Sequence, residues 1–311
     1  MGMQLTYAQL TRYPKVLKSM TGLTRAEFDQ LLDDIVPQYV AAEERRLTRP
    51  DRQRAIGAGD TFNLAISEQL LVAVIWLRVY PVQVVLGFLF GVSGTTVGRL
   101  LGRWLPVLAQ AGRDTMRLPD PGRKRRKSLD QLLADTPGLA VIVDTFEQRV
   151  QRPAKRQDAD GFYSGKKRQH TLKSQVAVDE ETGQIVEVAE SVPGPSADMT
   201  VLKDSGLLGR LPTGVGVLGD LAYVGVDKAA PNSLGAAPRR KPREKPRPPE
   251  DVVYNQAFAR RRVTVEHTIG RLRRYQSLSQ TDRGHRKHHT PRVVAIAGLV
   301  NRQLRTRMPT C

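Results

Sequence analysis

The sequence has a single cysteine and no long hydrophobic run. Because the one cysteine is Cys311, intramolecular disulfides and thiolate zinc clusters are excluded. The longest unbroken apolar run, Leu70 to Leu77, is too short to span a bilayer. The first residues also lack the apolar core of a secretory signal, so we expect a cytoplasmic protein.

Negative charge is also scarce. The chain of 311 residues has 49 Lys and Arg against 31 Asp and Glu, a formal net charge of +18. Such an excess predicts association with a polyanion, and favours nucleic acid over a membrane surface. The length is sufficient for two domains, each with a sizeable core.

Helical signals dominate the N-terminal third. Thr24 to Glu27 reads as a capping box, and Phe28 to Ile35 carries apolar residues at helical spacing. We expect Pro37 to limit this helix. The polar segment Glu43 to Asp60, rich in Arg and Gly, is predicted to be a loop.

Three helices are predicted next, over 68–80, 81–90 and from Ser93 onward. Ser67 is predicted to cap the first helix and Pro81 to begin the second. A helix, a turn containing glycine and a capped helix are typical of a helix-turn-helix, here about 67–105. The alternative is an ordinary helical hairpin within a bundle.

The early residues of the third helix would face DNA in a helix-turn-helix. The candidate DNA contacts there are Thr95, Thr96, Arg99 and Arg103. A helical domain over 1–117 would therefore end at a linker, 118–135, that is marked by Pro and Gly. The linker contains five further candidate DNA contacts: Arg123, Lys124, Arg125, Arg126 and Lys127. These cations could follow a phosphate backbone or could simply be solvated.

The pattern changes to strands after the linker. Leu139 to Val143 is a short, fully apolar run, which predicts a strand buried on both faces that ends at Asp144. The basic stretch 146–168 is predicted to be a loop and contains the candidate DNA contacts Lys166 and Lys167. Segments 171–179 and 184–192 predict an antiparallel hairpin.

A second buried strand, Val215 to Gly219, is predicted to end at Asp220. It follows a predicted helix over about 196–208. The segment 231–249, rich in Pro, Arg and Lys, is predicted to be a basic loop. Helices are predicted near 254–275 and 291–307.

Three acids in this region suggest a metal site. Asp144 and Asp220 each follow a buried strand, and Glu266 lies on the helix near 259–275. Such carboxylates bind hard divalent cations, and two metal ions can activate a nucleophile and stabilise the leaving oxygen of a phosphodiester. Arg262 and Arg273 share the helix face of Glu266 and are candidate DNA contacts. The alternative for this helix is a solvated surface with an Arg–Glu pair.

Other polar residues near these acids have simpler interpretations. Asp198 is the main competitor of Asp220 for the second acid, although a residue at a helix start is also favoured by the helix dipole. His170 and His267 are expected to form hydrogen bonds or pack, because hard metals prefer oxygen. Glu147 is expected to be structural, on the opposite face of the strand from Asp144.

Five motifs occur in an order that resembles a known family. They are VDTFEQRVQRP at Asp144, YSGKKRQHTLKSQVAVD at 163–179, PGPSADMTVL at 193–202, GDLAY at Asp220 and RRVTVEHTIGRLR around Glu266. This set resembles the DDE transposases of bacterial insertion sequences, in the group related to Harbinger elements. The helices before the linker resemble the helix-turn-helix of the same family.

The resemblance implies an α/β fold: an RNase H-like catalytic domain over 136–311, a mixed sheet flanked by helices, preceded by the helical domain. It implies that Asp144, Asp220 and Glu266 are catalytic and bind two Mg²⁺ ions, for which Mn²⁺ could substitute. The enzyme would cut terminal inverted repeats and join the 3′-hydroxyls to target DNA. We further expect a homodimer on double-stranded DNA, no membrane contact, and a bacterial, nucleoid-associated location.

One family signature matches only in part. It requires tyrosine, arginine, glutamate and lysine at fixed spacing. Arg262 and Glu266 match, Arg273 replaces the lysine, and Ala259 stands where the tyrosine is expected. Two alternatives to a transposase are a catalytically silent or host-adopted DNA-binding protein and an RNase H-like nuclease without strand transfer.

Overall fold

A computed structural model describes residues 4–48, 53, 64–122, 138–230 and 235–307, apart from the side chains of 157 and 158. The predicted linker cations 123–127 lie outside the described residues. The helices are α1 (Tyr7–Thr11), α2 (Pro14–Thr21), α3 (Arg25–Leu47), α4 (Ile66–Val79), α5 (Gln83–Phe90), α6 (Gly94–Arg113), α7 (Arg156–Phe162), α8 (Asp198–Asp204), α9 (Leu207–Arg210), α10 (Val226–Ala229), α11 (Pro249–Arg273), α12 (Gln276–Ser279) and α13 (His289–Arg307). The strands are β1 (Leu139–Arg149), β2 (Tyr163–Ser164), β3 (Gln169–Asp179), β4 (Ile185–Val188), β5 (Val192–Pro193), β6 (Val215–Leu218) and β7 (Gly235–Ala236).

Helix α3 begins as predicted but continues further. The Thr24 hydroxyl accepts a hydrogen bond from the Glu27 amide, and the Glu27 carboxylate accepts one from the Thr24 amide, which confirms the capping box. The helix then passes Pro37 and ends at Leu47, so the predicted stop at Pro37 and the predicted loop from position 43 are wrong. Burial on both sides of the proline, including Tyr39 stacked on Trp104, offsets the lost hydrogen bond.

Helices α4, α5 and α6 form the predicted helix-turn-helix region. Ser93 caps α6, because its Oγ accepts a hydrogen bond from the Thr96 amide at 3.1 Å. The predicted starts of the first two helices are wrong. Helix α4 is capped at Ala65 rather than Ser67. Helix α5 begins after Val82 rather than at Pro81, because Tyr80 adopts a left-handed conformation with φ of 55°.

The described ranges contain no single helix that is long and apolar enough to cross a membrane. Helices α5 and α6 reach that length and composition only when they are joined, and the turn between them bends the pair by 100°.

The sheet has the predicted mixed architecture. Its strand order is β2-β3-β1-β6-β7, and β4 and β5 also pair with β3. Strands β1 and β3 are antiparallel, whereas β1, β6 and β7 are parallel to one another. Helices pack on both faces, so the α/β class and the RNase H-like architecture are confirmed.

Strand β1 is longer than predicted. Its pairing with β3 extends to Arg149 opposite Thr171, so Asp144 lies within the strand rather than at its end. The predicted loop over 146–168 is therefore wrong, since it contains the end of β1, helix α7 and strand β2. The β3–β4 hairpin is confirmed, with Gly183 at φ of 72° in its turn. The predicted helix near 196–208 is instead two short helices, α8 and α9, separated at Gly206.

The N-terminal helices and one face of the sheet share a continuous apolar core. The β1 residues Ala140, Ile142 and Phe146 face this core together with α11 and α13. Val141 and Val143 face the opposite side, where α8 and α9 cover the sheet. Hence the helix-turn-helix region is packed directly onto the half of the chain that contains the sheet.

Helices α6 and α13 approach so closely that only glycine fits between them. A Cβ on Gly112 would lie 2.4 Å from the Val294 carbonyl oxygen, and a Cβ on Gly298 would lie 2.4 Å from the Gly112 Cα. Backbone therefore touches backbone at this crossing. The contact rigidly joins the second helix of the helix-turn-helix to the C-terminal helix.

Candidate active site

The sheet brings Asp144 and Asp220 to neighbouring positions. Parallel pairing of β1 with β6 ends at Ile142 opposite Leu218, and each acid lies two residues beyond that pair. Because side chains alternate along a strand, the side chains of both acids project from the backbone at the same level along the sheet. The chain turns away from the sheet after Asp220. The Asp220 Oδ1 accepts a hydrogen bond from the Ala222 amide at 2.8 Å and so caps this turn.

Helix α11 places an arginine against Asp144. The Arg262 guanidinium donates one hydrogen bond to Asp144 Oδ2 at 3.2 Å. Asp144 Oδ1 accepts a second bond from the Thr145 amide at 2.8 Å. The Arg262 Nε is buried and, among the described residues, has no hydrogen-bond partner. This arginine therefore keeps an unused donor beside the acids.

Asp144 is an unusually basic carboxylate. Burial, together with the charges of Asp220 and Asp198, raises its pKa from 3.8 to about 6, against the lowering effects of the Thr145 amide and Arg262. Asp144, Asp198 and Asp220 therefore lie close enough to act on one another. Clustered acids of this kind favour the binding of a cation.

Asp198 is held by a lysine that the sequence did not single out. The Lys173 ammonium, on β3, donates to Asp198 Oδ1 at 2.6 Å and to the Ser196 carbonyl oxygen at 2.5 Å. This buried contact fixes the start of α8 against the sheet. The alternation of polar and apolar residues along β3 is the only sequence signal for Lys173.

Tyr223 is a second residue that the sequence did not single out. It is fully buried, and its hydroxyl donates to Gln175 Oε1 at 3.1 Å. Burial raises the pKa of Tyr223, and so do the charges of Asp198, Asp144 and Asp220. The Tyr223 phenol therefore remains neutral near the three aspartates.

Glu266 is placed differently from the two aspartates. It is exposed on α11, one helical turn after Arg262. Among the described residues, no three His, Cys, Asp or Glu side chains are arranged to hold a metal ion as they stand. The donor atoms available are carboxylate oxygens, the type that hard divalent cations prefer, so the chemistry of the donor set fits such an ion.

The remaining candidates on this half of the chain have varied surroundings. Arg273 and Ala259 are exposed on α11. Glu147 lies on the opposite face of β1 from Asp144 and accepts a hydrogen bond from the Thr171 hydroxyl at 2.6 Å. The other candidates are His170, which packs edge-on against Tyr163, and the exposed residues His267, Lys166 and Lys167.

The candidate contacts on α6 divide into two kinds. Thr95 and Arg99 are exposed on the first turns of the helix. Thr96 instead takes part in the cap through its amide and through its hydroxyl, which lies 2.9 Å from the Ser93 hydroxyl. Arg103 lies 3.7 Å from a Glu43 carboxylate oxygen and so connects α6 to α3.

Comparison with known proteins gives two family matches and one similar relative. The family model described as DDE superfamily endonuclease matches residues 143–301, and the helix-turn-helix of DDE superfamily endonuclease matches residues 62–114. The chain is 28% identical over 287 residues to a protein named "Probable transposase for insertion sequence element IS702" from Microchaete diplosiphon. The aligned region covers 92% of this chain and 94% of the relative. No solved structure matches significantly.

Proposed function

Because this chain belongs to the DDE superfamily endonucleases, whose family model matches more than half of it, we propose that it is a transposase. It would bind the terminal inverted repeats of its element, cleave the ends by metal-dependent hydrolysis and join the 3′-hydroxyls to target DNA. The observation that carries the proposal is the placement of Asp144 and Asp220 side by side, next to Arg262 of α11.

In this proposal the three acids hold two Mg²⁺ ions, and Mn²⁺ can replace them. Asp144 and Asp220 would supply oxygens from the sheet, and Glu266 would supply one from α11. The ions supply an activated water or hydroxyl nucleophile and stabilise the leaving oxygen. Arg262, which donates one hydrogen bond to Asp144, would supply a positive charge for the phosphate. Arg273 would contact DNA further along the same helix.

DNA recognition is assigned to the helix-turn-helix. The exposed residues Thr95 and Arg99 lie on the first turns of α6, the part that faces base edges in this motif. The net charge of +18 supports binding to the DNA backbone. Since transposition brings two element ends together, the protein would act as a homodimer on DNA.

The test is metal-dependent cleavage of the protein's own element ends. Duplexes taken from the genomic flanks of the gene, with any inverted repeats they contain, would be incubated with purified protein and Mg²⁺ or Mn²⁺. We expect nicking at the repeat boundary, joining of the new 3′-hydroxyl to a second duplex, and loss of both reactions in Asp144→Asn and Asp220→Asn.

The alternatives predict different products. Tight binding without cleavage under either metal would contradict the proposal and indicate a catalytically silent DNA-binding protein. Cleavage without joining would indicate an RNase H-like nuclease. A matched control is Glu147→Gln, which changes a carboxylate on the opposite face of β1 and should leave the cleavage position unchanged.

A further inference from the structure

A polar cleft lies beyond the acids, where β1 ends. It has a volume of about 690 Å³ and lies between the end of β1, the start of β3 and the segment after α12. The lining side chains all carry hydrogen-bonding groups: Arg149, Gln151, Gln169, Ser279, Gln280, Thr281 and Arg283. Two are cationic and none is a carboxylate, so the lining favours an anionic ligand that is rich in hydrogen-bond acceptors.

The walls of this cleft, which we call the Arg149–Arg283 cleft, are held in place by buried contacts. The Asp282 amide donates to the Arg149 carbonyl oxygen at 2.8 Å, and Val150 forms a β-bridge with Asp282. The fully buried Arg292 donates to both Asp282 oxygens, at 2.8 and 3.0 Å. Asp282 is thereby neutralised, and the cleft is preformed.

The Gln148 side chain supplies a second buried connection. Its amide nitrogen donates to the carbonyl oxygens of Ser277 and Gln280, at 2.9 and 2.8 Å. These bonds fix α12 and the residue after it to β1. The two sides of the cleft therefore cannot separate without breaking buried hydrogen bonds.

The cleft adjoins the end of α4 on one side and a basic turn on the other. On one side, the Arg283 guanidinium stacks 4.1 Å from the ring of Tyr80, which ends α4 just before α5. On the other side, Gln169 directly follows the exposed basic turn that contains Lys166 and Lys167. Arg149 lies about 16 Å beyond Asp144 along β1, at ~3.3 Å per residue.

We propose that the Arg149–Arg283 cleft binds the sugar-phosphate backbone of duplex DNA that runs between the helix-turn-helix site and the cut site. The inference rests on the proposed function for the identity of that DNA. Guanidinium and amide groups donate to phosphate oxygens without reading sequence. The lining has no aromatic side chain on which unpaired bases could stack, which favours duplex over single-stranded DNA.

The first test measures binding rather than cleavage. Fluorescein-labelled mixed-sequence duplex would be titrated with the full chain and with Arg149→Gln at several salt concentrations. Removing one phosphate contact should raise Kd and reduce the slope of log K against log salt by about one. The matched control is Lys15→Gln, at an exposed lysine of α2, which should retain the wild-type slope.

The second test adds negative charge without changing shape. The double variant Gln151→Glu with Gln169→Glu should raise Kd for duplex by about ten-fold or more at low salt, because each new carboxylate repels the backbone. Gln30→Glu, at an exposed position of α3, is the control and should bind as the wild type does. Thermal unfolding midpoints would establish that all variants are folded.

The outcomes separate this inference from the proposed function. Wild-type Kd and salt slope in the cleft variants would overturn it, even if the protein cuts its element ends. A loss of affinity for single-stranded DNA or RNA alone would also overturn it. Weakened duplex binding in the cleft variants would support it even if no cleavage were found.

Discussion

Two adjacent arginines on α11 meet carboxylates in different ways, one in the turn after β3 and one within β1. Arg261 donates to both oxygens of Glu180, each at 2.6 Å, and both side chains are less than a tenth exposed. Arg262 donates one bond to Asp144 at 3.2 Å and keeps a buried Nε without a partner among the described residues. We call Arg261–Glu180 the closed pair, because the guanidinium donates to both carboxylate oxygens. We call Arg262–Asp144 the open pair, because one buried nitrogen of Arg262 makes no hydrogen bond among the described residues.

This difference separates an arginine that holds the fold from one that is available for chemistry. A buried, fully satisfied pair is costly to break, because removing one partner leaves the other charge buried and uncompensated. An arginine whose hydrogen bonding is incomplete can donate to a further acceptor such as a phosphate oxygen. The two residues are identical in type and adjacent in sequence, so only the surroundings distinguish them.

Breaking the closed pair should have the largest effect on stability. We expect Arg261→Ala to lower the free energy of unfolding by about 3–5 kcal/mol, since it removes both hydrogen bonds that the guanidinium donates to the buried Glu180 carboxylate. Urea unfolding would measure the change. Arg260→Ala, at an exposed neighbouring position, should cost much less, and equal losses in both variants would contradict the comparison.

Breaking the open pair should mainly affect catalysis. We expect Arg262→Ala to lower single-turnover cleavage by about 10²–10³-fold, because a preorganised charge near the reacting phosphate is lost. The free energy of unfolding should change by less than about 1 kcal/mol, since Asp144 keeps its bond from the Thr145 amide. Arg262→Lys should restore only part of the rate, because lysine lacks the planar fork.

The acid of the open pair should destabilise the fold when it is ionised. The Asp144 pKa is raised from 3.8 to about 6, so the native state binds this proton more tightly than the unfolded state. The stability that this tighter protonation of Asp144 contributes is therefore fully present below about pH 4 and is lost as the pH rises through about 6. Above pH 7, Asp144→Asn should be more stable than wild type by about 3 kcal/mol, and near pH 3 the two should be alike. Thermal unfolding across this range would measure the difference, and a constant difference at all pH values would exclude this origin.

The smallest effect is expected at the acid beside the open pair. Asp198→Asn keeps an oxygen for Lys173 but removes a negative charge that raises the Asp144 pKa. The stability transition assigned to Asp144 should therefore move to lower pH by less than about one unit.

Cleavage should persist in Asp198→Asn and disappear in Asp220→Asn, and the reverse result would make Asp198 the second catalytic acid.

Local hydrogen bonds made part of the fold predictable. The caps at Thr24 and Ser93 depend on residues within three positions, and both are present as predicted. The continuation of α3 through Pro37 depends on packing against residues far along the chain, such as Trp104. The extension of β1 past Asp144 likewise depends on pairing with β3, which no local pattern revealed.

The sequence predicted that two of the acids lie close together, but not the contacts around them. Two buried strands followed by aspartates predicted that the two acids lie close together, and the strand register places Asp144, within β1, beside Asp220, just past the end of β6. The link between Lys173 and Asp198 joins residues 25 positions apart, and single-sequence periodicity cannot detect it. The exposure of Glu266 depends on how α11 is rotated against the sheet, which its helical spacing left open.

The glycine crossing of α6 and α13 limits how this protein can acquire new DNA specificity. Because the backbones touch at Gly112 and Gly298, a helix-turn-helix transplanted from a relative as a cassette would have to bring a matching C-terminal helix with it. Substitutions on the exposed first turns of α6 carry no such requirement. In the proposed function, a new preference for terminal repeats is therefore expected to arise by point changes at positions such as Thr95 and Arg99 rather than by exchange of the whole module.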